Sequence, residues 1–151
     1  MATMSGNRLP PARLNPVAFQ LQLASDYTLT STSTALTLSN VTAGYSGTSI
    51  TVPDGGMTGL AVYTGYFHLS TAGTVTFATM DLLIDGTWVG PQAVWNPSNV
   101  TAGARVTASQ SWPFALAAGT RTFGLRASVT LSSGQVRLLA THTNVSLLLH
   151  P

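Results

Sequence analysis

TSITVPDGGMTGLAVYTGYFHLSTAGTVTFATMDLLID, residues 48–85, decides the fold. Three apolar-rich runs, Ser49–Val52, Leu60–Leu69 and Thr74–Ile84, are cut by PDGGMTG and STAG. β-Branched and aromatic residues recur in these runs with a period near two, and Gly, Pro, Asp and Ser fill the breaks. That is the strand-and-hairpin pattern, not the helical one. Ala61, Tyr63, Phe67 and Leu69 are expected to face inward, with Met80, Leu82 and Ile84 inward on the next strand. Val62, Val75 and Phe77 keep the opposite faces apolar too. Strands covered on both sides suit a two-sheet sandwich whose outer face is itself buried by a neighbour.

Downstream, Asp85-Gly86 predicts a tight hairpin turn into Thr87–Val89. Residues 88–103, WVGPQAVWNPSNVTAG, read as the longest irregular stretch, an exposed loop carrying Trp88 and Trp95. Paired aromatics on a loop either stack on a sugar or fill a subunit contact. From Arg105 the alternation is clean through Leu116, and again from Thr122 to Leu131, with Arg126 outward. The closing VRLLATHTNVSLLLHP predicts one last strand, with Leu139, Val145, Leu147 and Leu149 on one face and His142 on the other.

Upstream, Val17, Phe19, Leu21 and Leu23 alternate with Gln20 and Gln22 to give the first strand. The Thr- and Ser-rich segment 26–47 predicts one or two short strands and a Gly-bearing loop. Residues 1–16 carry Arg8, Pro10, Pro11, Arg13 and Pro16, which disfavour helix and predict an extended arm. Such an arm is either a docking arm that orders on a partner surface, with its two arginines meeting acidic groups, or a frayed terminus. The expected organisation is therefore an arm, residues 1–16, and one all-β domain, residues 17–151, of nine or ten strands.

Composition narrows the function. Of 151 residues 44% are hydrophobic but only 7% are charged, with no Lys and no Glu; typical soluble domains carry roughly 25% charged residues. Little self-repulsion keeps such a surface free of neighbours, which favours life in an assembly. The net charge is +2, and the six arginines are scattered at 8, 13, 105, 121, 126 and 137, so no clustered basic tract predicts nucleic-acid binding. The absence of Cys excludes disulfides and thiolate metal sites. No signal-peptide core and no apolar run of membrane-spanning length is visible, so no membrane partner is expected and the Asn40, Asn99 and Asn144 triplets are discounted as glycosylation sites.

Catalytic patterns are missing. Asp81 and Asp85 share a strand face but lie roughly 13 Å apart along it, too far for an acid pair, although pairing of either with Asp26 or Asp54 across strands stays open. His68, His142 and His150 form no local metal motif. Near a threefold axis, His142 would meet two copies of itself. PDGG, residues 53–56, offers one carboxylate and reads as a turn rather than a calcium site. No nucleophile elbow or phosphate loop is present, and no cofactor is expected.

The order of elements carries a resemblance. PVAF at 16–19, TVP followed by Gly and then YTGYFHLSTAG, FALAAGT before FGLRASV, and a closing NVSLLLHP resemble complement-type globular-head and tumour-necrosis-factor-like jelly rolls over residues 16–151. The Thr-rich strands, LLIDG, ASQSW and the THT segment are similar to virion proteins of tailed actinobacterial bacteriophages. The resemblance implies a ten-stranded jelly-roll sandwich that associates as a homotrimer. It also implies a non-enzymatic structural protein at the virion surface, made in the host cytoplasm; the short single-domain chain points within that class to a capsid decoration, or cementing, protein partnered by the major capsid protein or another virion protein, since a tail fibre needs a long shaft. The alternatives are a receptor-binding tip of a tail or head fibre that recognises host surface glycan, and a secreted carbohydrate-binding or adhesion module.

Overall fold

The computed structural model describes residues 16–30, 34–96 and 101–151. It is built of strands throughout: β1 Val17–Leu23, β2 Tyr27–Leu29, β3 Thr34–Leu36, β4 Leu38–Asn40, β5 Ser49–Val52, β6 Met57–Thr71, β7 Val75–Ile84, β8 Thr87–Trp95, β9 Arg105–Leu116, β10 Gly119–Leu131, β11 Gln135–Leu138 and β12 Asn144–His150. Among the described residues, a 3-10 turn, Ala140–His142, interrupts them. All pairings are antiparallel.

The strands form two sheets, and the long β6 is the spine of the larger. Along one edge it pairs with β12 and then β11, along the other with β9, and the seven-stranded order continues outward through β2 on one end and β1 and β4 on the other. The five-stranded sheet runs β3, β10, β7, β8, with β5 also on β10. This is an all-β antiparallel sandwich of jelly-roll type.

Alternation decides what lies between the sheets. Phe19, Leu21, Tyr63, Phe67, Trp112 and Leu147 from one sheet meet Met80, Leu82, Phe123 and Leu125 from the other, all of them buried. The layers touch through rings: Phe19 lies 5.8 Å from Phe123 edge-on, and Phe67 stacks on Trp95 at 5.6 Å. Edge strands β8 and β9 each carry a proline, Pro91 and Pro113, as edges tolerate. The buried Trp112 indole N–H donates to the Pro91 carbonyl, tying these two edges together.

Several expectations are corrected here. The Thr- and Ser-rich segment yields three strands of three residues each, β2, β3 and β4, which raises the count to twelve described strands. Residues 88–95 are strand, not loop: Gly90 (φ 71) and Pro91 mark a bulge between the Met80–Ala93 and Leu82–Val89 pairs. The closing segment is two strands, because seven residues separate inward Leu138 from inward Val145 and an odd spacing breaks a period of two. The 3-10 turn absorbs the change of phase, so Leu138 rather than Leu139 fills the core and His142 sits on the turn. Val75 points inward rather than outward, helped by the irregular register at Thr130–Leu131. Asp85 (φ 51) and Gly86 (φ 78) do form the predicted two-residue hairpin turn, with Ile84 opposite Thr87.

Candidate functional site

The outer face of the seven-stranded sheet is apolar where β6, β12 and β1 run side by side. Leu60 and Val62 on β6 and Leu148 on β12 are each about two-fifths exposed, though strand alternation normally places polar residues there. Leu60 and Leu148 are directly opposed in register, and Val62 faces Ser146. With Ala18, Gln20 and Thr42 they line an open groove of about 350 Å³. This is the two-sided apolar character expected of β6.

The outer face of the five-stranded sheet is different. Asp81 on β7 is fully buried although it points away from the core, because the sheet surface around it is covered by its own partners. Arg126 Nη2 lies 2.7 Å and Nε 2.9 Å from Asp81 Oδ2. The Gln92 amide donates to Asp81 Oδ1 at 2.7 Å, and the Thr79 and Ser128 hydroxyls are 2.7 Å apart. The bulge at Gly90-Pro91 is what brings Gln92 beside Asp81. One row along the sheet, Trp88 opposes Leu83 and is half exposed.

Of the two tryptophans singled out in the sequence, only Trp88 reaches solvent. Trp95 is buried against Phe67 and is unavailable to any ligand. Of the arm residues, Arg8, Pro10, Pro11 and Arg13 lie outside the described residues; Pro16 is exposed just before β1. Asp26 pairs with Arg137, Asp81 with Arg126 and Asp85 with Arg121, so three of the four carboxylates are each engaged by an arginine. No cluster of three potential metal ligands occurs among the described residues. The Asp81–Gln92–Arg126 network escaped sequence reasoning, since only the bulge puts these residues together.

Burial pushes the Tyr63 hydroxyl pKa far up, and that hydroxyl has no hydrogen-bond partner among the described residues. It lies inside the sandwich, folded over Gly65 of its own strand, with Trp112 6.2 Å away. Its role is to fill the core.

No family model matches the sequence, and no curated protein does. Solved structures share the fold. The chain is similar to Eiger TNF from S. frugiperda, at 9% identity over 88% of this chain and 91% of that one, with a TM-score of 0.55. Murine APRIL aligns at 15% identity over 89% of this chain and 98% of that one, with a TM-score of 0.54. At these identities the likeness shows the jelly-roll fold alone. No helix among the described residues is long and apolar enough to cross a membrane.

Proposed function

We propose that this chain is a non-enzymatic structural protein of a bacteriophage virion, a homotrimeric decoration protein that cements the capsid. One domain, residues 17–151, forms the sandwich, and the arm, residues 1–16, docks on a neighbouring virion protein through Arg8, Pro10, Pro11, Arg13 and Pro16. The observation that carries the reading is the apolar outer face at Leu60, Val62 and Leu148. A charge-poor chain leaves that face open to water unless another copy covers it. The jelly-roll resemblance supports three copies as the number.

Solution mass by light scattering tests it, for the full chain, the chain lacking residues 1–16 and Val62→Asp. A mass of three 15.7 kDa chains is expected for the first two and a folded monomer for the third. A monomeric full chain overturns the trimer. Loss of particle binding on deleting the arm supports docking, and retained binding overturns it.

A second reading, the receptor-binding tip of a fibre, rests on Trp88. An exposed indole one row from Arg126, Asp81 and Gln92 sets an apolar ring beside fixed polar groups, which suits a sugar. Trp88→Ala then removes cell-surface binding without loss of fold; unchanged binding counts against it.

A further inference from the structure

Three neighbouring strands of the seven-stranded sheet bring two arginines and a histidine to one register. His68 on β6 is opposite Arg105 on β9 and also opposite Arg137 on β11. Opposed residues of an antiparallel pair project from the same face, with Cα atoms roughly 4.5–5.5 Å apart. Phe67 and Leu69 fill the core, so His68 and both arginines belong to the outer face.

Here two of the six arginines of the chain flank a single histidine. Compensation is uneven. Arg121, Arg126 and Arg137 each reach a carboxylate, whereas Arg105, exposed on an edge strand, reaches none among the described residues. Asp26 meets Arg137 at 3.1 Å and also accepts the Ala140 N–H at 2.9 Å, which holds it on the β11 side of the row. His68 Nδ1 is buried and has no hydrogen-bond partner among the described residues.

Beside this row lies a ring surface. Tyr66, two residues back on β6 and on the same face, sits with its ring 4.7 Å from that of His142, inclined by 32°. His142 is exposed. A free inorganic anion needs only a cation such as Arg105. A sugar bearing an acidic group needs a cation for its charge and a ring face for its C–H surface, and both are present here.

We propose that the outer face of β11, β6 and β9 binds an acidic sugar. The guanidinium of Arg105 and the imidazole of His68 hold its carboxylate or sulfate, and the Tyr66–His142 pair lies against its ring. The guanidinium fork matches two oxygens of such a group. Val62 lies six residues along β6, about 20 Å away, so this site stands apart from the apolar groove and does not depend on it. It is also on the opposite sheet from Trp88.

Calorimetric titration of the full chain with a glucuronic-acid trisaccharide tests the assignment, with a neutral glucose trisaccharide and inorganic sulfate as comparators. The acidic trisaccharide is expected to bind, more weakly as salt rises. Arg105→Gln weakens it by about tenfold or more, the cost of a charge-assisted hydrogen bond, and Arg105→Lys by less. Tyr66→Leu weakens the trisaccharide while leaving any sulfate binding alone, and Arg121→Gln, near the start of β10 on the other sheet, changes nothing. Arg105→Gln is at an exposed edge and is expected to keep the wild-type circular dichroism. No binding of the acidic trisaccharide, equal binding of the neutral one, full affinity in Arg105→Gln, or sulfate binding as tight as the saccharide would each overturn the proposal.

Discussion

Asp81 and Arg126 face each other across β7 and β10, with Arg126 Nη2 2.7 Å from an Asp81 carboxylate that is 1% exposed. The pair lies on the solvent side of the sheet, yet Arg126 and Gln92 remove the carboxylate from water. Taking away one partner leaves a desolvated charge, which costs more than the pair itself contributes.

Arg126→Met is therefore expected to destabilise the fold by about 2–4 kcal/mol, because Gln92 alone remains to satisfy Asp81. Replacing both, Asp81→Leu with Arg126→Met, recovers most of that loss. Urea unfolding of the two variants measures the difference. A double variant as unstable as the single one would show that the pair itself, not the stranded charge, supplies the stability.

Gly56 gives a second test. Its φ is +79, and an added Cβ would lie 2.5 Å from the Leu116 carbonyl oxygen at the end of β9. Gly55, one residue earlier, has φ +100 but open space around the added atom. Both substitutions to Ala are strained, and only Gly56→Ala also collides with backbone. Gly56→Ala is expected to cost about 2–3 kcal/mol and Gly55→Ala about 1 kcal/mol, read from thermal unfolding. Equal losses would remove the steric part of the argument.

The strands that were legible in the sequence are those whose alternation runs unbroken. β5 is legible at its observed bounds, and β9 and β10 within a few residues, since apolar beats such as Ala108, Trp112 and Leu116 follow a period of two. Legibility failed where the backbone shifts phase. Gly90-Pro91 punctuates the sequence like a loop, but on an edge strand it makes a bulge, and β8 continues to Trp95. The turn at Ala140–His142 carries no Gly or Pro, so the break between β11 and β12 left no compositional mark. The candidate surfaces were half visible. Val62 announced an apolar outer face, while the rows Asp81–Arg126 and Arg105–His68–Arg137 depend on register, which one strand's sequence does not contain.

Asp85 sets an acid-range prediction. The Thr122 amide donates to Oδ1 at 2.8 Å and Arg121 to Oδ2 at 2.9 Å; these hold the carboxyl below the usual carboxylate range, the backbone hydrogen bond most strongly. A folded-state pKa below the unfolded one gives stability that is present above the unfolded pKa and lost as pH falls through the folded one. The melting temperature of the wild type is expected to drop more steeply than that of Asp85→Asn below about pH 4. Asn keeps the positive φ of the turn, so the variant removes the charge without the hairpin. Parallel pH profiles would show that Asp85 acts through the turn alone.

Trp88 and Trp95 occupy one strand and differ in what they touch. Trp95 is 5% exposed and stacked on Phe67 between the sheets, while Trp88 is 51% exposed opposite Leu83. Truncating the first opens a large cavity in a close-packed layer, and truncating the second removes surface already in water. Trp95→Ala is expected to cost about 3–5 kcal/mol and Trp88→Ala within about 0.5 kcal/mol, measured by chemical denaturation. A surface aromatic that stability does not require is free to serve recognition, so a near-neutral Trp88→Ala that also loses cell binding would separate the two roles on a single strand. A large loss of stability in Trp88→Ala would instead make it a packing residue and remove the motive for the fibre-tip reading.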